Sequence, residues 1–225
     1  MTRVRIMNFH GIGTSDRSLR SDEAVYWLSE DQFRQTLDLM ERLQETSDPI
    51  LLTFDDGNAS DLTIAAPELA RRGVTASFFI LTGRIGQAGS LDADDIRTLR
   101  GMGHRIGSHG VDHLDWRKLD NKGLHHELRE SREVLSDLCR EPITSAGIPF
   151  GGYNRRVLMA LRSSGYKSAY TSDGGAADDA VFLRPRSSVR ADMDLSELEA
   201  ILTGAEAFGR RLRRFVGKAR KRLLP

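Results

Sequence analysis

The stretch Thr53-Phe54-Asp55-Asp56-Gly57 follows directly on the apolar run Ile50-Leu51-Leu52. A short apolar run of this kind is typical of a buried strand, and polar residues at its end lie where the strand reaches the surface. About fifty residues later the chain carries Ser108-His109-Gly110-Val111-Asp112-His113. Two adjacent carboxylates and two histidines four residues apart together make a candidate metal site, around which the rest of the chain is interpreted.

Helical and strand patterns alternate on both sides of this stretch. Phe33, Leu37, Met40 and Leu43 recur at helical spacing, with Ser29 as the predicted N-cap. The patterns predict strands over 3–9, 50–54, 74–80, 105–107, 144–148, 167–171 and 181–183, and helices over 31–43, 67–72, 93–101, 122–139 and 155–163. About seven strand-helix repeats predict an α/β fold with a mostly parallel sheet, either closed as a barrel or open and doubly wound.

The composition is that of one ordinary globular domain. The chain has 225 residues, of which 39% are hydrophobic and 29% charged, which argues against a disordered protein. The single cysteine, Cys139, excludes an internal disulfide and is expected to pack as a small hydrophobe. Neither a secretory h-region nor a run long enough to span a membrane is present, so we expect a cytoplasmic protein.

The positive charge is concentrated at the C-terminus. Eight Lys and Arg residues fall within 210–225, which leaves 25 basic against 32 acidic residues in 1–209, a net charge of −7. Apolar residues at helical spacing between these cations predict a basic amphipathic helix over 204–225, appended to a domain over 1–203. Such a helix could dock on its own domain or contact an anionic membrane through 210–225, at the inner membrane face. A nucleic-acid partner is not expected, because no aromatic stacking platform accompanies the charge.

Each half of the candidate site is ambiguous by itself. Asp55 and Asp56 leave the strand with diverging side chains and can do different jobs, although Asp-Asp-Gly alone is most often turn chemistry. His109 and His113 alone are most often surface histidines. Together, two histidines and one carboxylate supply three metal ligands and leave a position open for water. Asp112 either accepts a hydrogen bond from a metal-binding residue or is a solvated loop residue.

A glycine-rich loop, Gly147-Ile148-Pro149-Phe150-Gly151-Gly152-Tyr153-Asn154, follows a predicted strand. Backbone N–H groups in such a loop can face a bound oxygen and stabilise an oxyanion. The alternative is a plain strand-to-helix turn. The pair His125-His126 lies in a charged helix, where exposure to solvent explains it.

Taken jointly and in this order, TFDDG, HGVDH and IPFGGY resemble the polysaccharide deacetylase family, also called the NodB homology or carbohydrate esterase family 4 domain, over about residues 3 to 190. The resemblance implies a distorted (β/α)7-type barrel that uses a divalent metal, usually zinc, to hydrolyse acetyl groups on sugars. It implies Asp55 as the general base and Asp56, His109 and His113 as the metal ligands. A backbone N–H near Phe150 would then hold the oxyanion.

The sequence departs from the family pattern in three places. Members commonly carry a late Leu-x-Leu-x-His strand that supplies an acid histidine, yet no histidine follows His126. His10, after Ile6-Met7-Asn8-Phe9, resembles that strand moved to the front, as in a circularly permuted branch; the alternative is an ordinary turn histidine. Gly147 replaces the usual third-motif arginine, and we expect Arg186, in preference to Arg184, to orient Asp55. The usual tryptophan-bearing fourth motif is not recognisable.

The leading hypothesis is a metal-dependent polysaccharide deacetylase. Its substrate would be an acetylated saccharide, N-acetyl rather than O-acetyl, in an envelope or exopolysaccharide glycan or its precursor. One alternative is a catalytically impaired glycan-binding or scaffold protein, suggested by the altered motifs. The other is a hydrolase of non-sugar amides on the same barrel. The sequence does not specify an oligomeric state.

Overall fold

A computed structural model describes residues 3–15, 17–44, 48–205 and 221. Parallel strands alternate with helices, and the sheet order is β7-β1-β2-β3-β4-β5-β6-β8, with β9 paired to β1. The strands are β1 (Arg3–Phe9), β2 (Ile50–Asp56), β3 (Ala76–Ile80), β4 (Arg105–Ser108), β5 (Ser145–Gly147), β6 (Ser168–Thr171), β7 (Ala176–Asp178), β8 (Leu183–Pro185) and β9 (Ser187–Ser188). The helices are α1 (Ser21–Ala24), α2 (Glu30–Leu43), α3 (Ala66–Arg71), α4 (Ala93–Gly101), α5 (Asn121–Cys139), α6 (Arg155–Ser163) and α7 (Leu195–Thr203).

The segment 183–188 closes the sheet into a barrel. Its first part, β8, pairs in parallel with β6, and its second part, β9, pairs in parallel with β1. Strands β1 to β6 and this shared segment therefore form a nearly closed barrel of seven strand positions. The short strand β7 runs antiparallel to the start of β1. The barrel prediction is confirmed, and the open, doubly wound alternative is wrong.

Alternation along β1 separates two apolar clusters. Met7 and Phe9 belong to the large core between the sheet and the helices. The small second cluster consists of Val4, Ile6, Phe79, Tyr170 and Ala177. Because successive side chains point to opposite faces of a strand, Asn8 and His10 lie on the same face of β1 as Val4 and Ile6.

Aromatic residues on neighbouring strands stack across the large core. Phe54 lies between Phe9, at a centroid distance of 5.2 Å, and Phe78, at 4.8 Å. All three side chains are fully buried. Truncating a buried phenylalanine of this kind to alanine costs about 3–5 kcal/mol. This stack fixes the strand that ends in Asp55 and Asp56.

The sequence predicted most elements closely. Helix α4 spans the predicted 93–101, and the predicted cap at Ser29 forms a capping box with Gln32. The last predicted strand, 181–183, is displaced, because β8 begins only at Leu183. Helices α1 and α7, strands β7 and β9, and the π-helical turn Asp61–Ala65 were not predicted. Since α1 is one turn without buried residues, it carries no apolar periodicity.

The last described helix, α7, ends at Gly204, whose φ of 78° is the left-handed conformation that glycine provides at a helix C-terminus. The basic helix predicted over 204–225 falls mostly outside the described residues, and the division of the chain after residue 203 stays a prediction. Cys139 is a half-buried free thiol. Among the described residues, no helix combines the length and apolar character needed to cross a membrane.

Candidate active site

The Asp55 carboxylate is enclosed by protein donors. Arg186 holds it in a bidentate pair, with Nη1 to Oδ1 and Nη2 to Oδ2 both at 2.7 Å. Asn8 donates from Nδ2 to Asp55 Oδ2 at 3.0 Å. Arg186 Nη1 also donates to Asn8 Oδ1 and to Thr53 Oγ1. All four side chains are buried, so this buried ion pair has the hydrogen bonds that such pairs need.

This geometry distinguishes between the two arginines that the sequence offered. Arg186 follows β8 and is fully buried against Asp55, whereas Arg184 donates to the Tyr170 hydroxyl and to the carbonyls of Val181 and Asp179. Burial raises the pKa of Asp55, but the Arg186 guanidinium more than offsets this, so the pKa lies well below its ordinary range. Asp55 is therefore ionised at neutral pH.

Asp56, His109 and His113 converge beside Asp55. Asp56 Oδ1 lies 3.5 Å from His109 Nε2 and 3.7 Å from His113 Nε2. The three ligand atoms lie within 4.8 Å of one another. Asp56 has a φ of 80° and His113 a φ of 56°, both in the left-handed region that non-glycine residues rarely adopt. Strain of this kind is characteristic of functional sites, where surrounding structure must maintain it.

The donor set fits a divalent cation such as zinc. Asp56 Oδ1 is buried and has no hydrogen-bond partner. His109 Nδ1 donates to the Gly147 carbonyl at 2.9 Å, which leaves the Nε2 lone pair directed away from that bond. Burial lowers the pKa of His113 to about 4, so its imidazole is neutral at pH 7. Two neutral imidazoles and one carboxylate are a common three-residue zinc set.

Glu127 supports the loop that carries the two histidines. It is almost fully buried on α5 and accepts the backbone N–H groups of Val111 and Asp112 at 3.0 and 3.1 Å. The indole N–H of Trp116 donates to the same carboxylate. Sequence reasoning missed this role, because Glu127 sits in a charged run, while its neighbours His125 and His126 are exposed as expected. The Asp112 side chain is exposed and contributes its backbone, not its carboxylate, to this support.

The Phe150 loop, residues 149–153, forms the next wall. Phe150 has a φ of 57°, and its exposed ring lies 4.5 Å from the His113 ring. The N–H groups of Gly151 and Gly152 donate to Ile148 and Pro149, whereas the Phe150 N–H donates to no described residue. A free N–H at this position suits a bound oxygen.

A side chain at Gly147, such as the arginine that the family motif usually has there, would crowd His109 and Phe79. A Cβ at this position would lie 3.0 Å from His109 Nδ1 and 3.1 Å from Phe79 Cγ. Contacts this short are tighter than nearly all real Cβ contacts. The space is filled by the His109 ring, and the cation for Asp55 comes from Arg186 instead.

His10 lies at the same cleft, where β1 ends. The cleft has a volume of about 400 Å³, and His10 lines it together with Asp55, Asp56 and both histidines of the trio. The His10 ring lies 4.8 Å from the Tyr26 ring, and its Nδ1 is buried without a partner. Burial lowers the pKa of His10, against the opposing effect of Asp56 and Asp55. The structure thus brings His10 to the other predicted site residues.

Asp61 is a further buried carboxyl that the sequence did not reveal. It lies in the π-helical turn after β2, is fully buried, and has no hydrogen-bond partner for either carboxylate oxygen. Burial raises its pKa well above the ordinary value, and the charges of Asp56 and Asp55 add to the effect. This shift favours the neutral form, which would avoid a third buried negative charge near the pair.

Comparison with known proteins agrees with this geometry. The family model described as polysaccharide deacetylase matches residues 42–169. The Bacillus subtilis (strain 168) protein YxkH, whose name gives polysaccharide deacetylase activity provisionally, is 27% identical over 186 residues, 78% of this chain and 66% of that protein. The chitooligosaccharide deacetylase of Rhizobium leguminosarum bv. trifolii is 27% identical over 157 residues, 69% of this chain and 66% of that protein. The chain thus spans slightly less than two thirds of each relative.

Among solved structures, the Streptococcus pyogenes deacetylase PplD in complex with acetate superposes with a TM-score of 0.75 at 20% identity. The match covers 89% of this chain and 98% of that one. At this identity the likeness establishes the fold, a NodB-type barrel, and nothing finer.

Proposed function

The chain belongs to the polysaccharide deacetylase family, and we propose that it hydrolyses acetyl groups, N-acetyl rather than O-acetyl, on a saccharide. The main support for the proposal is that one cleft holds both a candidate general base and a candidate set of metal ligands. An ionised carboxylate is fixed by Arg186, and the Asp56, His109 and His113 trio lies directly beside it. An N-acetylated glycan or glycan precursor of the cell envelope is the substrate class we favour. The cytoplasmic location and membrane contact stay predictions.

Asp56, His109 and His113 would hold the divalent cation, zinc by preference. A cation bound there would polarise the acetyl carbonyl and increase the acidity of a water molecule. The chain contributes two imidazoles and a buried carboxylate, one oxygen of which has no hydrogen-bond partner and would gain a positive one. Asp56 and His113 both have a left-handed backbone, a conformation that persists only where the surrounding structure enforces it.

Asp55 would act as the general base. Its carboxylate accepts the proton of the attacking water, and Asn8 and Arg186 hold its two oxygens in one orientation. The strong lowering of its pKa keeps the group ionised at every pH at which the His113 imidazole is neutral. Arg186 does not compete for the substrate, because it is buried behind Asp55.

The attack forms a tetrahedral centre with negative charge on the former carbonyl oxygen. The Phe150 N–H, which has no described partner, would donate to that oxygen. Loss of the amine then needs a proton, because an amine anion is a very poor leaving group. Acting as the general acid from its place on the cleft wall beside Tyr26, His10 would pass to the amine the proton that Asp55 took from the water.

The two other hypotheses lack a supporting observation of comparable weight. A protein that only bound glycans would have no need for a base held by a buried arginine next to three potential metal ligands. A hydrolase of non-sugar amides would use the same residues, so it differs only in substrate. A substrate screen separates it from the saccharide deacetylase.

The direct experiment measures acetate release from N-acetylglucosamine oligomers by the zinc-loaded protein. We expect release that stops on chelation and returns when zinc is added. A screen of N-acetylated and O-acetylated saccharides without acetate release would refute the proposed function. Release only from non-sugar amides would favour the third hypothesis.

The role of His10 is tested separately with His10→Gln. Because an activated ester leaves without protonation, this variant is expected to keep hydrolysis of 4-nitrophenyl acetate and to lose about 10²–10⁴-fold on the amide. Equal loss on both substrates would show that His10 is not the acid. Tyr26→Phe, which keeps the ring against His10, serves as the control for local packing.

A further inference from the structure

Lys221 reaches the Phe150 loop from a part of the chain far away in sequence. Its Nζ donates to the Gly151 carbonyl at 2.9 Å and to Asp173 Oδ1 at 2.7 Å. The ammonium also lies 5.2 Å from the centre of the Tyr153 ring. Lys221 therefore makes three contacts to two segments that are 20 residues apart, although it belongs to neither.

These contacts are better sheltered than those of an ordinary surface ion pair. The Lys221 side chain is 31% exposed and the Asp173 side chain only 7%. Exposed pairs contribute little because water competes for both charges, but a pair with one buried partner is screened less. The ammonium over the Tyr153 ring adds a cation–π contact. The arrangement has the features of a fixed anchor.

Asp173 connects the anchor to the loop a second time. Its other oxygen, Oδ2, accepts the Tyr153 hydroxyl at 2.8 Å and Thr171 Oγ1 at 2.9 Å. The Thr171 carbonyl in turn accepts from Arg186, which holds Asp55. The 171–173 turn thus connects the Phe150 loop with the arginine that holds Asp55, and Lys221 bonds to both the loop and this turn.

The Phe150 loop requires external support. Phe150 and Gly151 have φ values of 57° and 58°, so two consecutive residues adopt the left-handed region. For Phe150 this conformation is costly and persists only where surrounding contacts enforce it. The loop is also packed closely against its neighbour, since a Cβ on Gly151 would lie 2.8 Å from the Ser172 backbone nitrogen. Lys221 supplies the donor for the Gly151 carbonyl at this strained point.

We propose that Lys221 is a positioning residue for the Phe150 loop, which holds the Phe150 N–H in the direction that the developing oxyanion requires. The proposal rests on the proposed deacetylase function. Its consequence is specific: Lys221 affects turnover, and neither metal binding nor substrate binding depends on it. The catalytic barrel thereby depends on a residue outside the part of the chain that the family model matches, 42–169.

The test compares three variants of the full-length zinc-loaded protein. Lys221→Met removes the charge and keeps much of the stem, Lys221→Arg keeps a cationic donor, and Lys218→Met removes the same charge three positions earlier. We expect Lys221→Met to lower kcat about tenfold, less than the loss of an oxyanion donor itself, with KM and zinc content unchanged. Lys221→Arg should restore part of kcat, and Lys218→Met should behave as the wild type.

Hydrogen exchange provides the readout that does not depend on activity. The amides of Gly151 and Gly152 donate within the loop at 2.9 and 3.1 Å and should exchange faster in Lys221→Met, while the His109 amide, bonded to Ile80, should not change. Unchanged exchange in Lys221→Met, or the same kcat loss in Lys218→Met, overturns the proposal. Faster exchange in a protein that releases no acetate would support the anchor and refute the deacetylase function instead.

Discussion

Asp55 and Asp56 are neighbours in the chain, but their surroundings are opposite. Asp55 has a bidentate arginine and an asparagine, and the donors around it also bond to one another. Asp56 is equally buried, yet its Oδ1 has no hydrogen-bond partner and its backbone is left-handed. The protein itself supplies hydrogen-bond donors to both oxygens of the Asp55 carboxylate, whereas Oδ1 of Asp56 receives none.

This difference indicates what each carboxylate is for. A buried charge is tolerated when hydrogen bonds replace its hydration, which Arg186 and Asn8 do for Asp55. A buried acceptor without a partner costs free energy unless something else supplies one. At Asp56 the two imidazoles nearby are suited to share a cation with it. On the proposed roles, the fold itself fixes the base, Asp55, whereas Asp56 would gain its partner from a cation shared with the two histidines.

The largest effect is expected from breaking the ion pair between Asp55 and Arg186. Arg186→Met leaves Asp55 buried and unpaired, so the free energy of unfolding should fall by about 3–5 kcal/mol. Urea denaturation of the metal-free protein measures this. Adding Asp55→Asn to the same variant should recover part of the loss, because no unpaired charge remains. If the single and double variants were equally unstable, the buried pair would not be the cause.

A smaller effect is expected from loosening the loop that carries His109 and His113. Glu127→Gln weakens the bonds that hold the backbone of Val111 and Asp112, so zinc affinity should fall about 10–100-fold, as for other supports behind metal ligands. Calorimetric titration of zinc measures it. Glu130→Gln, on the exposed side of the same helix, is the control and should not change the affinity. An unchanged affinity in Glu127→Gln would show that Glu127 does not support the metal-binding loop.

The two aspartates should also differ in how much stability each loses with its charge. In metal-free protein at pH 7, Asp56→Asn should change the free energy of unfolding by only about 1 kcal/mol, because its Oδ1 has no hydrogen-bond partner to lose. Asp55→Asn breaks the pair with Arg186 and should destabilise the fold. Urea denaturation of both variants with a chelator present gives the comparison. Destabilisation by Asp56→Asn of the same size would mean that Asp56 is already satisfied without a cation.

The last expected effect concerns the titration of His113. Burial lowers its pKa from 6.5 to about 4, so the unfolded chain takes up a proton before the folded one does. The free energy of unfolding is therefore unaffected by this group above pH 6.5, and it declines as the pH falls from 6.5 towards 4. Nuclear magnetic resonance of the metal-free protein should give a His113 midpoint near 4. A midpoint near 6.5, or the same acid profile in His113→Gln, would contradict it.

Much of the site could be predicted because the motifs lie at strand ends. Asp55, Asp56, His109 and His113 follow apolar or strand patterns, and parallel strands bring their carboxyl ends together. The structure places all four in one cleft. His10 joined them because β1 belongs to the same sheet and runs in the same direction as β2.

The rest depends on contacts that no local pattern encodes. Asn8 was not selected, although alternation from Ile6 to His10 could have placed it on the face towards Asp55. Glu127 lies in a run of charged residues whose periodicity gives no sign that one carboxylate is buried. Lys221 bonds to a carbonyl 70 residues away, and such pairing is set only by tertiary packing.

The most direct measurement determines zinc stoichiometry and acetate release in parallel for Asp55→Asn and Asp56→Asn. We expect Asp55→Asn to bind one equivalent of zinc as the wild type does, while acetate release falls about 10²–10⁴-fold, the contribution expected of a general base. Asp56→Asn should lose both zinc and activity, and excess zinc should restore part of each. Loss of zinc in Asp55→Asn, or full acetate release without it as a base, would contradict the division of roles between the two carboxylates.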